Sequence, residues 1–239
     1  MKRGLTGPAW EKRMQEMFRS ISYRYDMINT LMTFGRDRAW RRRALQAVSL
    51  LPGGEFLDVG AGTGKLSLDM KRKDPAASIT ALDLTREMME VGFRSPGGGS
   101  IMWCCGNALN LPFVDDRFDG VISGYLMRNV TDVEKAFSEQ LRVVKPGRCV
   151  VCLDTCPPRK NVLYPLIMFY FRAVMPRIGG LLTGNRAAYR YLPESTQTFK
   201  PPEELAVMMR GAGFHDVRHR RFMLGTIGLV WGTKPADCS

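Results

Sequence analysis

The sequence predicts an α/β fold with a doubly wound, mostly parallel seven-stranded sheet flanked by helices. Two observations support this fold class. Short apolar strands alternate with helical patterns between residues 55 and 154, which is typical of parallel sheets. The first of these strands ends in a glycine-rich turn that opens a helix, as in Rossmann-like folds. A length of 239 residues suits a single domain with a complete core.

The elements can be placed in order along the chain. Residues 9–51 are predicted to form helical segments that break near Gly35. The predicted strands cover residues 55–59, 78–83, 100–105, 118–123, 148–154, 216–222 and 224–233. The predicted helices between them cover about 63–73, 85–93, 132–143 and 202–212. Stop signals follow the last two of these helices at Lys145-Pro146-Gly147 and at Gly213.

The run from Asn161 to Leu182 departs from this alternation. It is rich in Leu, Ile, Met, Phe and Tyr, but prolines and arginines interrupt it at Pro165, Arg172, Pro176 and Arg177. A membrane-spanning helix needs about twenty mainly apolar residues. We therefore expect either a helical cap over an apolar pocket or an interfacial helix.

The most informative motif is the stretch from Leu57 to Gly64, which has the sequence LDVGAGTG. An acid ends the apolar strand, a G-x-G-x-G turn follows, and a second strand ends in Asp83 about twenty residues later. A dinucleotide fingerprint needs a third small residue where Lys65 stands. S-adenosylmethionine (SAM) has no pyrophosphate to seat there. The motif therefore predicts a class I SAM-dependent methyltransferase.

Within the motif, each residue has an expected role in holding SAM. Asp58 anchors the turn, and Gly60, Gly62 and Gly64 let the backbone approach the methionine part of the cofactor. Thr63 can offer its hydroxyl to the SAM carboxylate or amino group.

The strands that follow supply the other expected cofactor contacts. Asp83 is predicted to accept hydrogen bonds from both ribose hydroxyls. Asn107 and Ala108 fall where the adenine amino group is recognised, and Ser123 closes the fourth strand at the same crevice. Simple turn chemistry is the alternative for Asn107 and Ser123.

This interpretation divides the single methyltransferase domain into four parts. They are a helical cap at 1–51, a SAM-binding core at 52–156, an apolar helical insert at 157–200, and a C-terminal helix with antiparallel strands at 201–239.

The composition bounds the partners. The net charge of +12 and the pI near 9.7 favour anionic surfaces, either nucleic acid or an acidic membrane. The six cysteines are Cys104, Cys105, Cys149, Cys152, Cys156 and Cys238. They lack the paired spacing that is typical of a metal site. We expect reduced thiols in a cytosolic compartment and no metal. Residues 1–10 contain no signal-peptide core and no persuasive transit peptide.

Several segments besides the SAM motif match one family. They are Tyr25 to Asn29 (YDMIN), Asn107 to Phe113 (NALNLPF), Arg128 to Asp132 (RNVTD), Arg142 to Gly147 (RVVKPG) and Tyr189 to Ser195 (YRYLPES). With these segments the chain resembles the UbiE/COQ5 quinone C-methyltransferases from roughly residue 12 to residue 230. The YDMIN, RNVTD and YRYLPES segments are the more specific ones.

The resemblance implies methyl transfer from SAM to a ring carbon of a polyprenylated quinol. Family accounts give Arg128 a role in proton removal through water. Because a guanidinium stays protonated, we expect Arg128 to stabilise the phenolate instead, with Asn129 orienting the ring hydroxyl. Tyr25 is expected to close the pocket. The alternatives are helix capping or an ion pair with Asp132 for Arg128, and ordinary packing for Tyr25.

Other residues have expected places around this site. We predict that His215 and His219 lie on the surface, away from the crevice. We expect residues 161–182, with Tyr189 and Tyr191 beyond them, to form the wall for a prenyl tail, a homodimer interface, or both. Basic clusters at residues 40–43 and 218–221 could assist docking to anionic lipid.

The chain also departs from the family pattern, mainly on the acceptor side. The departures are Ile28, Thr33, Asp37, Leu126-Met127, Arg148, Asp154 and Cys156, of which Asp154 stands where the family has Glu. The SAM motif carries no departure.

The leading hypothesis is a menaquinone-pathway enzyme that methylates demethylmenaquinol and is peripheral to the inner face of the cytoplasmic membrane. A demethoxyubiquinol enzyme of the ubiquinone pathway is the first alternative, and a methyltransferase of another lipid or small molecule is the second. An RNA methyltransferase is disfavoured because no N/D-P-P-Y/F motif follows the fourth strand. A non-enzymic quinone-binding scaffold is disfavoured because the SAM motif is complete. The sequence leaves open the head group, the prenyl length and the oligomeric state.

Overall fold

A computed structural model describes residues 7–33, 35–177, 191 and 194–236. The strands are β1 (Glu55–Val59), β2 (Ser78–Asp83), β3 (Met102–Cys105), β4 (Phe118–Gly124), β5 (Val144–Thr155), β6 (His215–Phe222) and β7 (Ile227–Thr233). They form one seven-stranded sheet in the order β3-β2-β1-β4-β5-β7-β6. Neighbouring strands are parallel from β3 to β5, whereas β7 runs antiparallel to β5 and β6. The predicted fold class is confirmed.

Helices flank the sheet, and seven α-helices have both ends within the described part of the chain. They are α1 (Pro8–Met32), α2 (Asp37–Ala47), α3 (Lys65–Lys73), α4 (Arg86–Phe93), α5 (Val133–Val143), α6 (Tyr164–Phe169) and α7 (Pro202–Gly211). A π turn over Tyr170–Val174 continues α6. The described residues do not include positions 178–182 of the apolar run, Tyr189 or Cys238. Within the described ranges, no helix combines the length and the apolar character needed to cross a membrane.

The last strand begins later than the sequence predicts. Residues Met223–Gly225 form a 3-10 turn, in which Leu224 has a φ of 54°. This left-handed backbone ends one strand and redirects the chain. β7 therefore starts at Ile227 instead of residue 224.

Alternating residues of the central strands bury apolar side chains on opposite faces of the sheet. Leu57 of β1 belongs to a core cluster with Phe137 of α5 and Met209 of α7. Phe56 belongs to a second cluster that includes Met70 of α3. Helices α5 and α7 thus cover one face, and α2 and α3 cover the other.

The order of the strands determines where a ligand can bind. β1 lies between β2 and β4. The chain continues from β1 to β2 and β3 on one side and then crosses to β4 on the other side. Doubly wound sheets bind ligands at such a point, beyond the carboxyl ends of the strands. Helix α1 lies apart from the two sheet clusters, and its Trp10, Met14 and Ile21 form a third cluster with Tyr191.

Candidate active site

A cavity of about 930 Å³ opens at this edge of the sheet. Its lining includes the glycine turn after β1, Asp83 at the end of β2, Arg128 after β4 and Thr155 at the end of β5. Residues predicted to bind a cofactor and residues predicted to act on an acceptor therefore share one cavity.

The glycine turn is held in a left-handed backbone by neighbouring strands. Gly60, Gly62 and Gly64 have φ values of 70°, 56° and 69°, which residues with a Cβ rarely adopt. The N–H groups of Gly60 and Ala61 both donate to the Leu82 carbonyl, at 2.8 and 2.9 Å. The turn is therefore fixed to the end of β2 and presents bare backbone to the cavity.

Asp58 connects β1 to the start of α3. Its Oδ2 accepts hydrogen bonds from the Ser67 backbone N–H at 3.1 Å and from the Ser67 hydroxyl at 2.7 Å. Its Oδ1 is buried and has no hydrogen-bond partner in the described part of the chain. Burial raises the pKa of Asp58 to about 7. Asp58 lines the cavity, so Oδ1 is an acceptor that a cationic ligand group could use.

Asp83 is held by backbone donors on both carboxylate oxygens. Oδ2 accepts from the Gly62 N–H and Oδ1 from the Thr85 N–H, each at 2.7 Å. Burial raises the pKa of Asp83. A carboxylate oxygen has two acceptor positions, so one position on each oxygen is left for the hydroxyls of a diol.

Helix α1 covers the predicted cofactor side of the cavity, and two of its side chains accept hydrogen bonds from residues on that side. The Thr63 hydroxyl donates to Asp26 Oδ1 at 2.7 Å, and the Asn107 amide donates to Glu11 Oε1 at 3.0 Å. Asn107 Oδ1 also accepts from the Leu109 N–H at 2.9 Å, which is the turn chemistry considered above. The sequence motifs predicted neither contact with α1.

Two predicted cofactor residues are not brought to the cavity. Ser123 is fully buried within β4, in register with Val59 and Cys152, and the chain reaches the cavity only at the following residues, Gly124 and Tyr125. The expectation that Ser123 faces the crevice is therefore wrong. Gly64 packs beneath Trp103 instead of lining the cavity, while Ala108 does line it.

Arg128 forms a buried ion pair on the acceptor side. Its Nη1 lies 2.5 Å from Asp154 Oδ1, and both side chains are almost fully buried. Its Nε has no hydrogen-bond partner within the described residues. The Asp154 carboxylate raises the pKa of Arg128 although burial lowers it. The predicted alternative partner was wrong, because Asp132 caps α5 by accepting the Lys135 N–H at 2.9 Å.

Asn129 joins three parts of the chain. Its amide donates to the Tyr125 carbonyl at 2.9 Å, and its Oδ1 accepts the Tyr191 hydroxyl at 2.9 Å. The Trp10 indole N–H of α1 donates to the Asn129 carbonyl at 2.7 Å. Asn129 thus holds the acceptor side together through residues that local motifs do not connect.

Tyr25 and an apolar wall complete the cavity. Tyr25 lines it from α1, and its ring meets Phe18 edge-on at a centroid distance of 5.9 Å. Burial raises the pKa of the Tyr25 hydroxyl, and the nearby Arg128 charge lowers it in part. Tyr170, Phe171 and Met175 line the cavity from the apolar insert.

The histidines are distant from this chemistry, as predicted. His215 and His219 are exposed on β6, and the cavity lining includes neither. In the described part of the chain, no group of three or more His, Cys, Asp or Glu side chains is placed to hold a metal ion.

Comparisons with known proteins identify the family of this chain. The sequence pattern of the ubiE/COQ5 methyltransferase family matches residues 8–234. The chain is 44% identical over 228 residues to "Ubiquinone/menaquinone biosynthesis C-methyltransferase UbiE" of Desulfotalea psychrophila, which covers 95% of this chain and 91% of that protein. It is 38% identical to "Demethylmenaquinone methyltransferase" of Deinococcus radiodurans, with 92% of each chain covered.

Solved structures show a similar fold. A SAM-dependent methyltransferase from Thermotoga maritima has a TM-score of 0.62 and 20% identity, covering 91% of this chain and 99% of that one. A SAM-dependent methyltransferase from Aquifex aeolicus has a TM-score of 0.56 and 18% identity, covering 80% and 88%. At such identities the likeness concerns the fold alone.

Proposed function

Since this chain belongs to the ubiE/COQ5 methyltransferase family, we propose that it transfers a methyl group from SAM to a ring carbon of a polyprenylated quinol, converting demethylmenaquinol to menaquinol. The names of the relatives from Desulfotalea psychrophila and Deinococcus radiodurans support a quinone substrate. One observation carries the proposal. The cavity that contains the glycine turn and Asp83 also contains the buried Arg128 and an apolar wall.

The residues on the cofactor side fit SAM. The glycine turn offers bare backbone to the methionine part, and the unpartnered Oδ1 of Asp58 offers an acceptor to its ammonium group. Asp83 keeps an acceptor position on each oxygen for the ribose hydroxyls. When bound, SAM would supply an electrophilic methyl group on a sulfonium.

On the acceptor side, Arg128 would stabilise charge. A ring carbon becomes nucleophilic when a hydroquinone hydroxyl loses its proton, which leaves negative charge on oxygen and ring. After methyl transfer that carbon loses its hydrogen and the oxygen regains a proton, so one proton is released in all. Arg128 stays protonated beside Asp154, so it cannot accept that proton. Its guanidinium, which lines the cavity, can instead donate to the phenolate oxygen, while water carries the proton away.

The substrate's prenyl tail would follow the apolar insert, whose outer side is also apolar. Val162, Leu166 and Phe169 are exposed there, next to the exposed cations Lys160 and Arg172. Exposed apolar side chains beside basic ones suit an anionic membrane surface. Peripheral contact with such a membrane, where the quinol resides, is therefore part of the proposal.

The test is the transfer of labelled methyl from SAM to chemically reduced demethylmenaquinone, with demethoxyubiquinol and a phospholipid in parallel. Arg128→Gln is expected to lower kcat about 10²- to 10³-fold, as the loss of one oxyanion donor does, while SAM binding measured by calorimetry survives. Arg117→Gln is the matched control. Arg128 lies over the Tyr125 ring and pairs with a carboxylate. Arg117 likewise lies over aromatic rings and pairs with a carboxylate, but it does not line the cavity.

Methylation of one quinol, lost in Arg128→Gln and kept in Arg117→Gln, would support the proposal and identify the head group. SAM binding without a methylated quinol would contradict it. Methylation of the phospholipid alone would assign the enzyme to another lipid.

A further inference from the structure

Asp154 is the partner that determines where the Arg128 side chain can lie. Its Oδ1 lies 2.5 Å from Arg128 Nη1, and its Oδ2 accepts the Arg128 backbone N–H at 3.2 Å. The Thr155 N–H also donates to Oδ1, at 2.7 Å. One carboxylate thus holds both the main chain and the guanidinium of Arg128.

The support for this carboxylate is rigid. Asp154 lies near the carboxyl end of β5 and is in register with Gly228 of β7. The preceding residue, Leu153, accepts the Tyr125 N–H at 2.7 Å, so β5 also fixes the start of the loop that carries Arg128. The position of the guanidinium is therefore set by the sheet and not by the loop alone.

Burial makes the pairing necessary. Arg128 and Asp154 are 3% and 1% exposed, and an uncompensated charge at such depth is strongly unfavourable. Among the described residues, three hydroxyls also lie near the guanidinium: those of Tyr25 from α1, Tyr191, and Tyr125, whose ring lies 5.5 Å from the Arg128 guanidinium carbon. Among the described groups around Arg128, Asp154 is thus the one carboxylate that forms an ion pair with it.

We propose that Asp154 is a positioning residue for methyl transfer, which holds the Arg128 guanidinium at the cavity wall so that it can donate to the acceptor oxygen. The proposal rests on the proposed function and adds a residue to it. Asp154 does not itself touch the reacting atoms. In the sequence it stands out only as an Asp where the family has Glu. In the structure the shorter side chain contacts Arg128 at two points, one on the backbone and one on the side chain.

The test compares Asp154→Asn, Asp154→Glu and the double variant Arg128→Gln/Asp154→Asn in the full chain. Asp119→Asn is the matched control, since Asp119 also accepts a backbone N–H, from Glu55 at 3.0 Å, and pairs with Lys145 at 2.9 Å, but lies outside the cavity lining. Three quantities are measured: kcat and KM for the quinol, SAM binding by calorimetry, and the ¹⁵N NMR signal of the Arg128 Nε–H, assigned by its loss in Arg128→Lys.

Asp154→Asn is expected to lower kcat at least tenfold and to change KM less than threefold. It should also remove the NMR signal of the Arg128 Nε–H. Asp154→Glu should recover most of kcat and the signal. Asp154→Asn should add nothing in the Arg128→Gln background, because a residue that acts through Arg128 is not additive with it. The double variant carries neither buried charge, so it decides the question even where Asp154→Asn alone does not fold.

Unchanged kcat and an unchanged Nε–H signal in Asp154→Asn would overturn the proposal, as would an effect no larger than that of Asp119→Asn. Additive losses in the double variant would also overturn it. The NMR signal separates the two proposals. If the wild type methylates no quinol, the proposed function fails, whereas the dependence of the signal on residue 154 still decides the role of Asp154.

Discussion

The two sides of the cavity are built differently. On the cofactor side, backbone groups of a few consecutive residues form the site, because the turn after β1 is fixed by hydrogen bonds to Leu82. On the acceptor side, the side chains of Arg128 and Asn129 depend on partners far away in the chain, such as Asp154 and Trp10.

The two sides of the cavity should therefore differ in the substitutions that they tolerate. A backbone site depends on the absence of side chains and fails when a Cβ is added in a crowded place. A site made of side chains depends on pairs and fails when one partner is lost. The following predictions test this contrast, beginning with the largest effect.

The crowding beneath the glycine turn should make it intolerant of a methyl group. A Cβ on Gly64 would lie 2.4 Å from Trp103 Cη2, and the indole is held by its bond to the Gly98 carbonyl at 2.9 Å. Gly53 has nearly the same φ, 70° against 69°, but nothing lies within 4 Å of its Cβ position. We expect Gly64→Ala to lose about 2–4 kcal/mol of unfolding free energy and Gly53→Ala about 1 kcal/mol.

Urea denaturation of both variants measures this difference directly. Equal losses would mean that φ alone, and not the contact with Trp103, makes Gly64 necessary. SAM affinity should fall in Gly64→Ala and stay near the wild-type value in Gly53→Ala.

The buried Asp58 should make SAM binding depend on pH. Its pKa is raised to about 7 in the free protein, so most Asp58 carboxyls are protonated at pH 6. A cationic ammonium beside Oδ1 favours the ionised form, and binding therefore releases a proton. SAM affinity should rise with pH by up to about tenfold per unit below pH 7 and level off above it.

Calorimetry in two buffers of different ionisation enthalpy counts the released protons. We expect nearly one proton per SAM at pH 6 and almost none at pH 8. Asp58→Asn should lose most of this dependence, since Asp83 is the remaining carboxyl with a raised pKa on this side. If the pH dependence of SAM affinity persists in Asp58→Asn, Asp83 would be the group that releases the proton.

The outer face of the apolar insert should contribute a smaller effect, on membrane binding. Leu166 of α6 is 67% exposed, four residues before Tyr170 of the cavity lining, whereas Val207 is 63% exposed and belongs to α7, which contributes no residue to that lining. Leu166→Ser should weaken binding to vesicles of anionic phospholipid about three- to tenfold, while Val207→Ser should not. Vesicle flotation measures both.

Size-exclusion chromatography of the same variants distinguishes the homodimer alternative. Unchanged flotation of Leu166→Ser together with a shift from dimer to monomer would identify the patch as a subunit interface. That result would contradict the membrane contact.

The same contrast explains what could be predicted from sequence. The succession of strands and helices and the glycine turn follow from apolar periodicity and glycine spacing, which are local. The acceptor partners are not local: Asp154 lies 26 residues from Arg128, and Trp10 lies 119 residues from Asn129. No periodic pattern joins such residues, so the sequence suggests Asp132 only as an alternative partner of Arg128 and does not indicate the ion pair with Asp154 that the structure has.

On the cofactor side, the motif identified Asp58, Asp83 and the turn but not what covers them. Thr63 and Asn107 were predicted to contact SAM, and their use in binding it is still a prediction. In the structure they bind Asp26 and Glu11 of α1. A capping helix contributes through side chains on one face, and its register against the sheet cannot be derived from its own amphipathic pattern.

The position of β7 in the sheet has a consequence for folding during synthesis. β7 lies between β5 and β6 and pairs with residues 149–155 of β5, yet the ribosome synthesises it after every other strand of the sheet. Until residue 227 emerges, β5 presents an open edge with Val151 and Leu153, which are fully buried in the finished fold. An unpaired apolar edge invites pairing with other chains. We therefore expect a chain truncated before residue 227 to aggregate instead of forming a smaller enzyme.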